Sequence, residues 1–533
     1  MLAPLILLSA VVAALAGPAG AARVLGLFPH SGRSHQMVFE PLLRALAERG
    51  HHVTVVSFFP LDQPPANYTD VSLEGISPIG VETVNIEEFE SLYSPYAWPR
   101  VLGVDRVLSQ FLGFHPLAEM AVNICSKLVE LPTLREALQK KYDVVLVENF
   151  SSDCMLGLLQ AYGVQAPRVA LLSSNLMPWS AERIGAAELP SYVPTVSTEF
   201  TDRMSFLQRM ENSFVKLGLK QWFHYLIQEK EQDLIEKSLG KKVDLQALAK
   251  NTSLMLVNTF HGLNGVRPAV PGLVEVGGMH LQRARKPIPP FMEKFLDESP
   301  EGVILFSWGS LIKTASIPPH REQVLVRVLS RLPQRVIWKY EGSAPEGNLT
   351  GNILRVNWIP QYELLLHKKV IAFIAHGGLL GMTEGISAGK PMLVVPFFGD
   401  QPCNGAAAEA VGLGTVLRYA DLNEEAFGEA VRKVLSAPMR LSARQVSKIW
   451  RDRQTEPLET AVYWTERVAR WGAASPLHSS ARDLPFYELY LLDILAAALL
   501  AVVALLIVLR IMVKMLMYLL AALFVKQPKK KLH

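Results

Sequence analysis

The chain has 533 residues, 50% apolar and 19% charged, too long for one ordinary domain and too apolar for a disordered chain. Lys+Arg 53 against Asp+Glu 49 leaves +4, far from the basic footprint of a nucleic-acid-binding protein. Gly 35 and Pro 35 are near average usage and exclude collagen-like or low-complexity composition.

Residues 2–16 are almost wholly apolar, Gly17 and Pro18 break the run, and Ala19-Gly20-Ala21 is a small-x-small cleavage site. Residues 1–22 therefore read as a secretory signal peptide. A strand at 24–28 leads into the polar loop PHSGRSH, then a helical stretch with Leu42, Leu43, Leu46 and Ala47 on one side. Pro41 is expected near the start of that helix and Gly50 just past its end. A β-branched strand at 53–59 completes a β-α-β unit, the seed of a parallel sheet. Residues 142–147 form a further buried strand, 155–162 a helix and 169–172 a strand. The long, charged stretch 200–250 has helical spacing and reads as a helical insertion. Linker character around 268–272 precedes a second alternation, with strands at 303–307, 335–338, 354–357, 370–374 and 391–396 and helices at 322–332 and about 380–388. The expected architecture is α/β, with Rossmann-like domains at 23–265 and 273–450 and a helical, membrane-proximal return at 451–485 that includes an amphipathic helix at 456–471.

Residues 494–509 are an unbroken apolar run. Extended to 491–513, it makes a helix of about 34 Å, enough to cross a bilayer. Arg510 and Lys514 interrupt the run, and a longer helix would reach 525. The tail 526–533 is basic, so a single-pass type I topology is expected, with the body in the lumen and the tail in the cytosol. Lys530 and Lys531 match a di-lysine signal of endoplasmic-reticulum membrane proteins; a stop-transfer charge cluster is the alternative. Asn67, Asn251 and Asn348 head N-glycosylation sequons, whereas the sequon at Asn149 follows a buried strand and is not expected to be used. Cys125, Cys154 and Cys403 are too few for a disulfide framework or a four-Cys zinc site and leave at least one thiol unpaired.

The most informative segment runs from Trp358 to Gln401. A strand ends at Ala375, His376-Gly377-Gly378 forms a turn, and a helix begins within a few residues. Glycines admit close backbone approach, and a helix N-terminus offers unpaired N–H groups and positive partial charge, so the turn suits a diphosphate. His376 adds a donor, and Glu384 on the departing helix suits the two hydroxyls of a ribose. Trp358 offers a flat face to a base, and Asp400 and Gln401 follow the next strand, where they suit sugar hydroxyls.

This segment resembles the signature of the UDP-glycosyltransferases of glycosyltransferase family 1, the family of animal UDP-glucuronosyltransferases and UDP-glucosyltransferases. The resemblance covers the whole chain. It implies a GT-B fold, two Rossmann-like domains facing across a cleft, and inverting transfer from a UDP-sugar without a metal or other cofactor; the chain has no D-x-D motif. By that resemblance Trp358 stacks on uracil and Gln361 contacts uracil or ribose. His376, Gly377, Gly378 and Ser310 hold the diphosphate, Glu384 the ribose, and Asp400 and Gln401 the sugar. Many members carry Asn where this chain has Leu380; the HGGLLG turn looks more like arthropod members, which tend to use UDP-glucose.

Inverting transfer needs a base for the acceptor hydroxyl, and histidine has a suitable pKa. The first loop holds His30 and His35, and the family's Ser-His pair matches Ser34-His35. A carboxylate should orient the imidazole. Glu148 at a strand end and Asp153 before the next helix both qualify, and Asp153 is preferred for its residue type. Apolar and aromatic residues of 88–115 are expected to line a pocket for a small lipophilic acceptor, or else to be ordinary core. UDP-glucuronate as donor and a non-catalytic lumenal UDP-sugar-binding protein are the alternative readings. A nicotinamide enzyme is excluded by the lack of G-x-G-x-x-G after the first strand. Oligomeric state is not legible.

Overall fold

A computed structural model describes residues 20–92, 107–108, 110–111, 113–282, 285–472 and 475–525. Residues 1–19 of the expected signal peptide, Lys530 and Lys531 in the basic tail, and much of 88–115 lie outside the described residues.

Within the body that ends at His478, the strands in chain order are β1 (Arg23–Phe28), β2 (His52–Ser57), β3 (Tyr68–Ser72), β4 (Val84–Asn85), β5 (Val144–Glu148), β6 (Arg168–Leu172), β7 (Leu254–Val257), β8 (Leu273–Glu275), β9 (Val303–Ser307), β10 (Ile312–Lys313), β11 (Arg335–Lys339), β12 (Asn348–Thr350), β13 (Ile353–Val356), β14 (Val370–Ala375), β15 (Met392–Val394) and β16 (Gly414–Val416). All but β4 and β10, which pair with each other, form two seven-stranded sheets, ordered β3-β2-β1-β5-β6-β7-β8 and β12-β13-β11-β9-β14-β15-β16. All pairings are parallel except β12 with β13.

Both sheets are apolar on both faces, as parallel sheets covered by helices require. Along β1, Leu25 and Leu27 enter one core and Val24 and Phe28 the opposite one. In the second sheet Val303 and Leu305 face one core, Ile304 and Phe306 the other. This period of two is what alternating Cβ direction dictates.

The first helix, α1 (Arg33–Glu48), starts eight residues before Pro41, which sits inside it. The expectation of Pro41 near the helix start is corrected. Gln36, Val38 and Phe39, ahead of the proline, are buried against the sheet, and this packing offsets the one backbone hydrogen bond the ring removes. His35 thereby stands in the first turn of a helix rather than in a loop.

Helix α2 (Cys154–Ala161) follows β5 and is joined by the Cys125–Cys154 disulfide to a helix spanning His115–Leu128; Cys403 is unpaired. The insertion supplies α3 (Phe206–Phe223) and further helices. In the second half α4 (Leu379–Ser387) follows β14 and α5 (Gln401–Ala410) follows β15. Helix α6 (Pro457–Trp471) returns to the first half, burying Ala461, Val462 and Val468 in the same core as Val24 and Phe28. The halves also share the short parallel pair β4–β10.

The remaining unit, from Ser479, carries α7 (Leu492–Val525), one continuous helix of 34 residues. It is longer than the expected 491–513 core, with Arg510 and Lys514 inside it. It is long and apolar enough to cross a membrane.

Gly414 pairs with Met392 in the register that places the loop before α5, and a Cβ there would lie 2.1 Å from the Met392 carbonyl oxygen. Backbone cannot yield as a side chain can, so Gly414→Ala should cost about 1–3 kcal/mol or more. Gly428, inside a helix, has nothing nearer than 3.5 Å to such a Cβ; Gly428→Ala should be neutral or gain up to about 1 kcal/mol. Thermal melts of the two variants check this: equal melting temperatures would contradict the contrast.

Candidate active site

His35 presents a half-buried ring at the carboxyl end of β1. Its Nδ1 lies 2.6 Å from Glu148 Oε1 and 2.9 Å from Ser173 Oγ. Glu148 ends β5 and Ser173 follows β6, so three adjacent strands converge on one imidazole. With Glu148 ionised, Nδ1 donates to it and Nε2 keeps its lone pair. His30 stacks on His35 with centroids 3.8 Å apart, and Phe150 meets its edge at 4.5 Å. The Gly32 N–H donates to His30 Nδ1, and a Cβ at Gly32 would lie 2.8 Å from the His30 ring. Burial lowers the His35 pKa to about 3 and raises that of Glu148 to about 7. Burial thus favours the neutral imidazole.

Asp153, preferred from sequence as the orienting carboxylate, is elsewhere. It is fully buried in a bidentate pair with Arg183, at 2.6 and 2.9 Å, and accepts from Gln228 and Asn149. Its oxygens are saturated by a guanidinium and two amides, and it is Glu148 that touches His35. Glu148 is the last residue of β5, on the strand next to β1, whereas Asp153 stands five residues further on at the start of α2.

The residues expected around the donor gather at the carboxyl edge of the second sheet. Gly377, at φ 94°, makes the turn after β14, and Gly378 is the N-cap of α4. A Cβ on Gly377 would lie 2.9 Å from the Gln401 carbonyl oxygen, and one on Gly378 2.4 Å from His376 Nε2. Both glycines are therefore steric requirements of this turn. The His376 ring also abuts Gly309 of the loop after β9, the loop that carries Ser310. Burial, with the Lys339 charge adding to it, lowers His376 to about 4. Glu384, on α4, accepts from Gln361 Nε2 at 2.6 Å, so these two form one unit. Trp358 is 54% exposed, with Lys339 Nζ 5.7 Å from its ring centroid. Asp400 is the N-cap residue of α5, and burial raises its pKa to about 6. Gln401 Oε1 accepts from the Phe397 and Phe398 N–H groups, so this side chain also shapes the loop.

Sequence reasoning missed Lys339, Ser173 and Asn404. Asn404 donates to both Asp400 Oδ2 and the Gly377 carbonyl. Lys339 and Ser173 lie at or just beyond a strand's carboxyl end, the one signal available in advance, whereas Asn404 sits in the first turn of α5. The described parts of 88–115 are largely engaged in packing. Phe89 meets Phe397 and Phe398, and Phe114 is buried in a core with Trp179 and Phe223. Asn67, Asn251 and Asn348 are exposed, and Asn149 is buried.

A model of the family described as "UDP-glucoronosyl and UDP-glucosyl transferase" matches residues 23–531. The chain is 34% identical over 507 residues to UDP-glycosyltransferase UGT5 of Dactylopius coccus, covering 94% of this chain and 93% of that protein. It is 31% identical over 513 residues to UDP-glucuronosyltransferase 2A3 of Mus musculus, covering 93% and 92%. Among solved structures, UGT89C1 of Arabidopsis thaliana, complexed with UDP-L-rhamnose, superposes with a TM-score of 0.53 at 17% identity over 84% of this chain and 99% of that one. The fold is that of GT-B glycosyltransferases. With a family match over nearly its whole length and relatives aligned end to end, the chain belongs to the UDP-glucosyl and UDP-glucuronosyl transferase family and is a UDP-glycosyltransferase.

Proposed function

We propose that this enzyme is membrane-anchored and inverting, and moves a hexose, with UDP-glucose favoured, to a hydroxyl of a small lipophilic acceptor. The observation that carries the reading is the His35–Glu148 couple at 2.6 Å. The acceptor O–H gives its proton to His35 Nε2 as the oxygen attacks the anomeric carbon. The bond from that carbon to the diphosphate oxygen breaks on the opposite face, and UDP leaves with the electron pair. Glu148 stabilises the imidazolium that forms.

On the donor side, Trp358 stacks on uracil and the Gln361–Glu384 unit takes the ribose. The N-terminus of α4, with Gly377 and Gly378, meets the diphosphate together with His376, Ser310 and Lys339. In this reading cationic and N–H groups serve the leaving diphosphate, so no metal is required. Asp400 and Gln401 take the sugar hydroxyls. Leu380 brings no polar atom to the turn, which supports a neutral hexose donor over UDP-glucuronate. The helix Leu492–Val525 supports a single membrane span. With the 1–22 signal and the lysines at 530 and 531, it supports a type I protein of the endoplasmic reticulum. The exposed Asn67, Asn251 and Asn348 suit lumenal glycosylation.

A donor screen on microsomes with a phenolic acceptor panel tests this directly. Transfer is expected from UDP-glucose and should fall about 10²–10⁴-fold in His35→Ala, with UDP binding retained. Product from UDP-glucuronate alone would overturn the donor assignment, and loss of UDP binding in the variant would overturn the role of His35.

The pH profile gives a second check. Burial raises Glu148 to about 7, so its carboxylate is present above that pH and lost as pH falls through it. Wild-type kcat/KM should therefore decline below about pH 7, and Glu148→Gln should run on a lower plateau without that acid limb. An unchanged limb in the variant would assign it to another group.

A further inference from the structure

The loop after β6 and helix α5 meet in a buried hydrogen bond that joins the two halves of the cleft. Asn175 Nδ2 donates to Asn404 Oδ1 at 2.8 Å, across 229 positions of sequence. The two residues are 5% and 1% exposed. Asn404 gives its own amide hydrogens to the Gly377 carbonyl and to Asp400 Oδ2, each at 2.9 Å. A carbonyl and a carboxylate only accept, so the orientation of this amide is determined and its oxygen must face Asn175. Two residues before Asn175, Ser173 Oγ lies 2.9 Å from His35 Nδ1. Ser174 Oγ donates to the Asn175 carbonyl, and Asn258 Nδ2 donates to the Ser173 carbonyl, so this loop is fixed on its own side.

One short path therefore runs from the imidazole through Ser173 and Asn175 to Asn404, and there forks to the glycine turn and to the Asp400 carboxylate. Asn175 Oδ1 is buried without a partner among the described residues. An unpaired buried amide oxygen is unfavourable, so simple packing is a poor account of an asparagine here; its N–H contact with Asn404 is what an apolar residue would lose.

We propose that Asn404, held by Asn175, is a positioning residue: it sets Asp400 and the Gly377 peptide for the hexosyl diphosphate only while the base-bearing half is seated against the donor half. The inference rests on the reading that Asp400 takes the sugar. Asn404 restrains one Asp400 oxygen, and Asn175 restrains Asn404. Breaking the bond between the asparagines frees the carboxylate rotamer without touching Trp358, Gln361 or Glu384. Recognition of the uridine end should persist while recognition of the sugar weakens.

Titration calorimetry on the full-length chain in detergent micelles tests this with UDP, UDP-glucose and UDP-glucuronate. The sugar nucleotide that the wild type turns over serves as the reference donor. Asn175→Ala should weaken that donor about tenfold, the worth of one buried hydrogen bond, leave UDP within about twofold, and lower the melting temperature by no more than a few degrees. Asn404→Ala should weaken the donor at least as much, and adding Asn175→Ala to it should cause little further loss. If Asn404→Ala does not fold, the Asn175→Ala arm decides alone. Donor affinity unchanged in Asn175→Ala, with Asp400→Ala still impaired, would overturn the inference and leave the site reading intact. Equal losses for UDP and the donor, with a larger drop in melting temperature, would assign the pair a structural role and overturn it too. An Asp400→Ala variant that still favours the sugar nucleotide as the wild type does would overturn the reading of Asp400, and the inference with it.

Discussion

A parallel strand pair can be joined only by a crossover that carries the chain back to the starting edge of the sheet. Every parallel strand of such a sheet ends at the same edge, and each gives way there to a loop or a helix N-terminus; the short β12 runs the other way. This protein has two sheets of that kind, and its site is built on the consequence. His35, Glu148 and Ser173 follow or end β1, β5 and β6, and the donor residues follow or end β9, β11, β13, β14 and β15. Strands buried on both faces hold these ends rigidly, because a shift in one would disturb two cores.

Burial then sets the chemistry. It disfavours charge on His35 and His376, and it raises Glu148 and Asp400. Two imidazoles are kept neutral on opposite sides of the cleft, for different reasons. On the proposed reading His35 uses a lone pair at Nε2, whereas His376 packs against glycines 309 and 378, with Lys339, itself paired with Glu341, adding positive charge nearby. The polar residues that do not touch the reacting groups are fixed by one another. Asp153 accepts from Arg183, Gln228 and Asn149 in a buried network near His35, and pairing of both its oxygens holds the carboxylate in place.

The sequence carried most of this where the signal was local. Apolar runs bounded by glycine and proline marked the central strands of both sheets, and the Trp358–Gln401 spacing marked the donor cluster. Strands β3, β4, β7, β8, β10, β12 and β16 went unseen: β3 is mostly polar, and the others have two to four residues, too few for periodicity to separate from loop. Pro41 misled because a helix-start preference was weighed without the packing that tolerates an interior proline. Asp153 misled because residue type was weighed above position, and the register of β5 against β1 is a long-range fact. Lys339 and Asn404 were invisible for the same reason: nothing in their immediate neighbours says which loop they will face.

Leu380 shows how a change in one contact moves work to another. If the turn meets a diphosphate as proposed, a polar side chain there would add a further donor, and this chain gives that up. Leu380 is instead partly buried against the apolar core of the first half, the one containing Phe28, Val38 and Met279. Partial burial of a leucine contributes less than the roughly 1.5–3 kcal/mol of full burial, yet it acts across the cleft, where it favours the closed arrangement of the two sheets. The neighbouring helix α5 reaches the same half through Asn404, with a hydrogen bond in place of apolar area. The glycine turn is thus flanked by one apolar and one polar tie to the half that carries His35. Apolar contact is non-directional and favours closure in any nearby register, whereas the amide bond is satisfied in only one geometry. The first draws the halves together, and the second fixes how the glycine turn meets the half that carries His35.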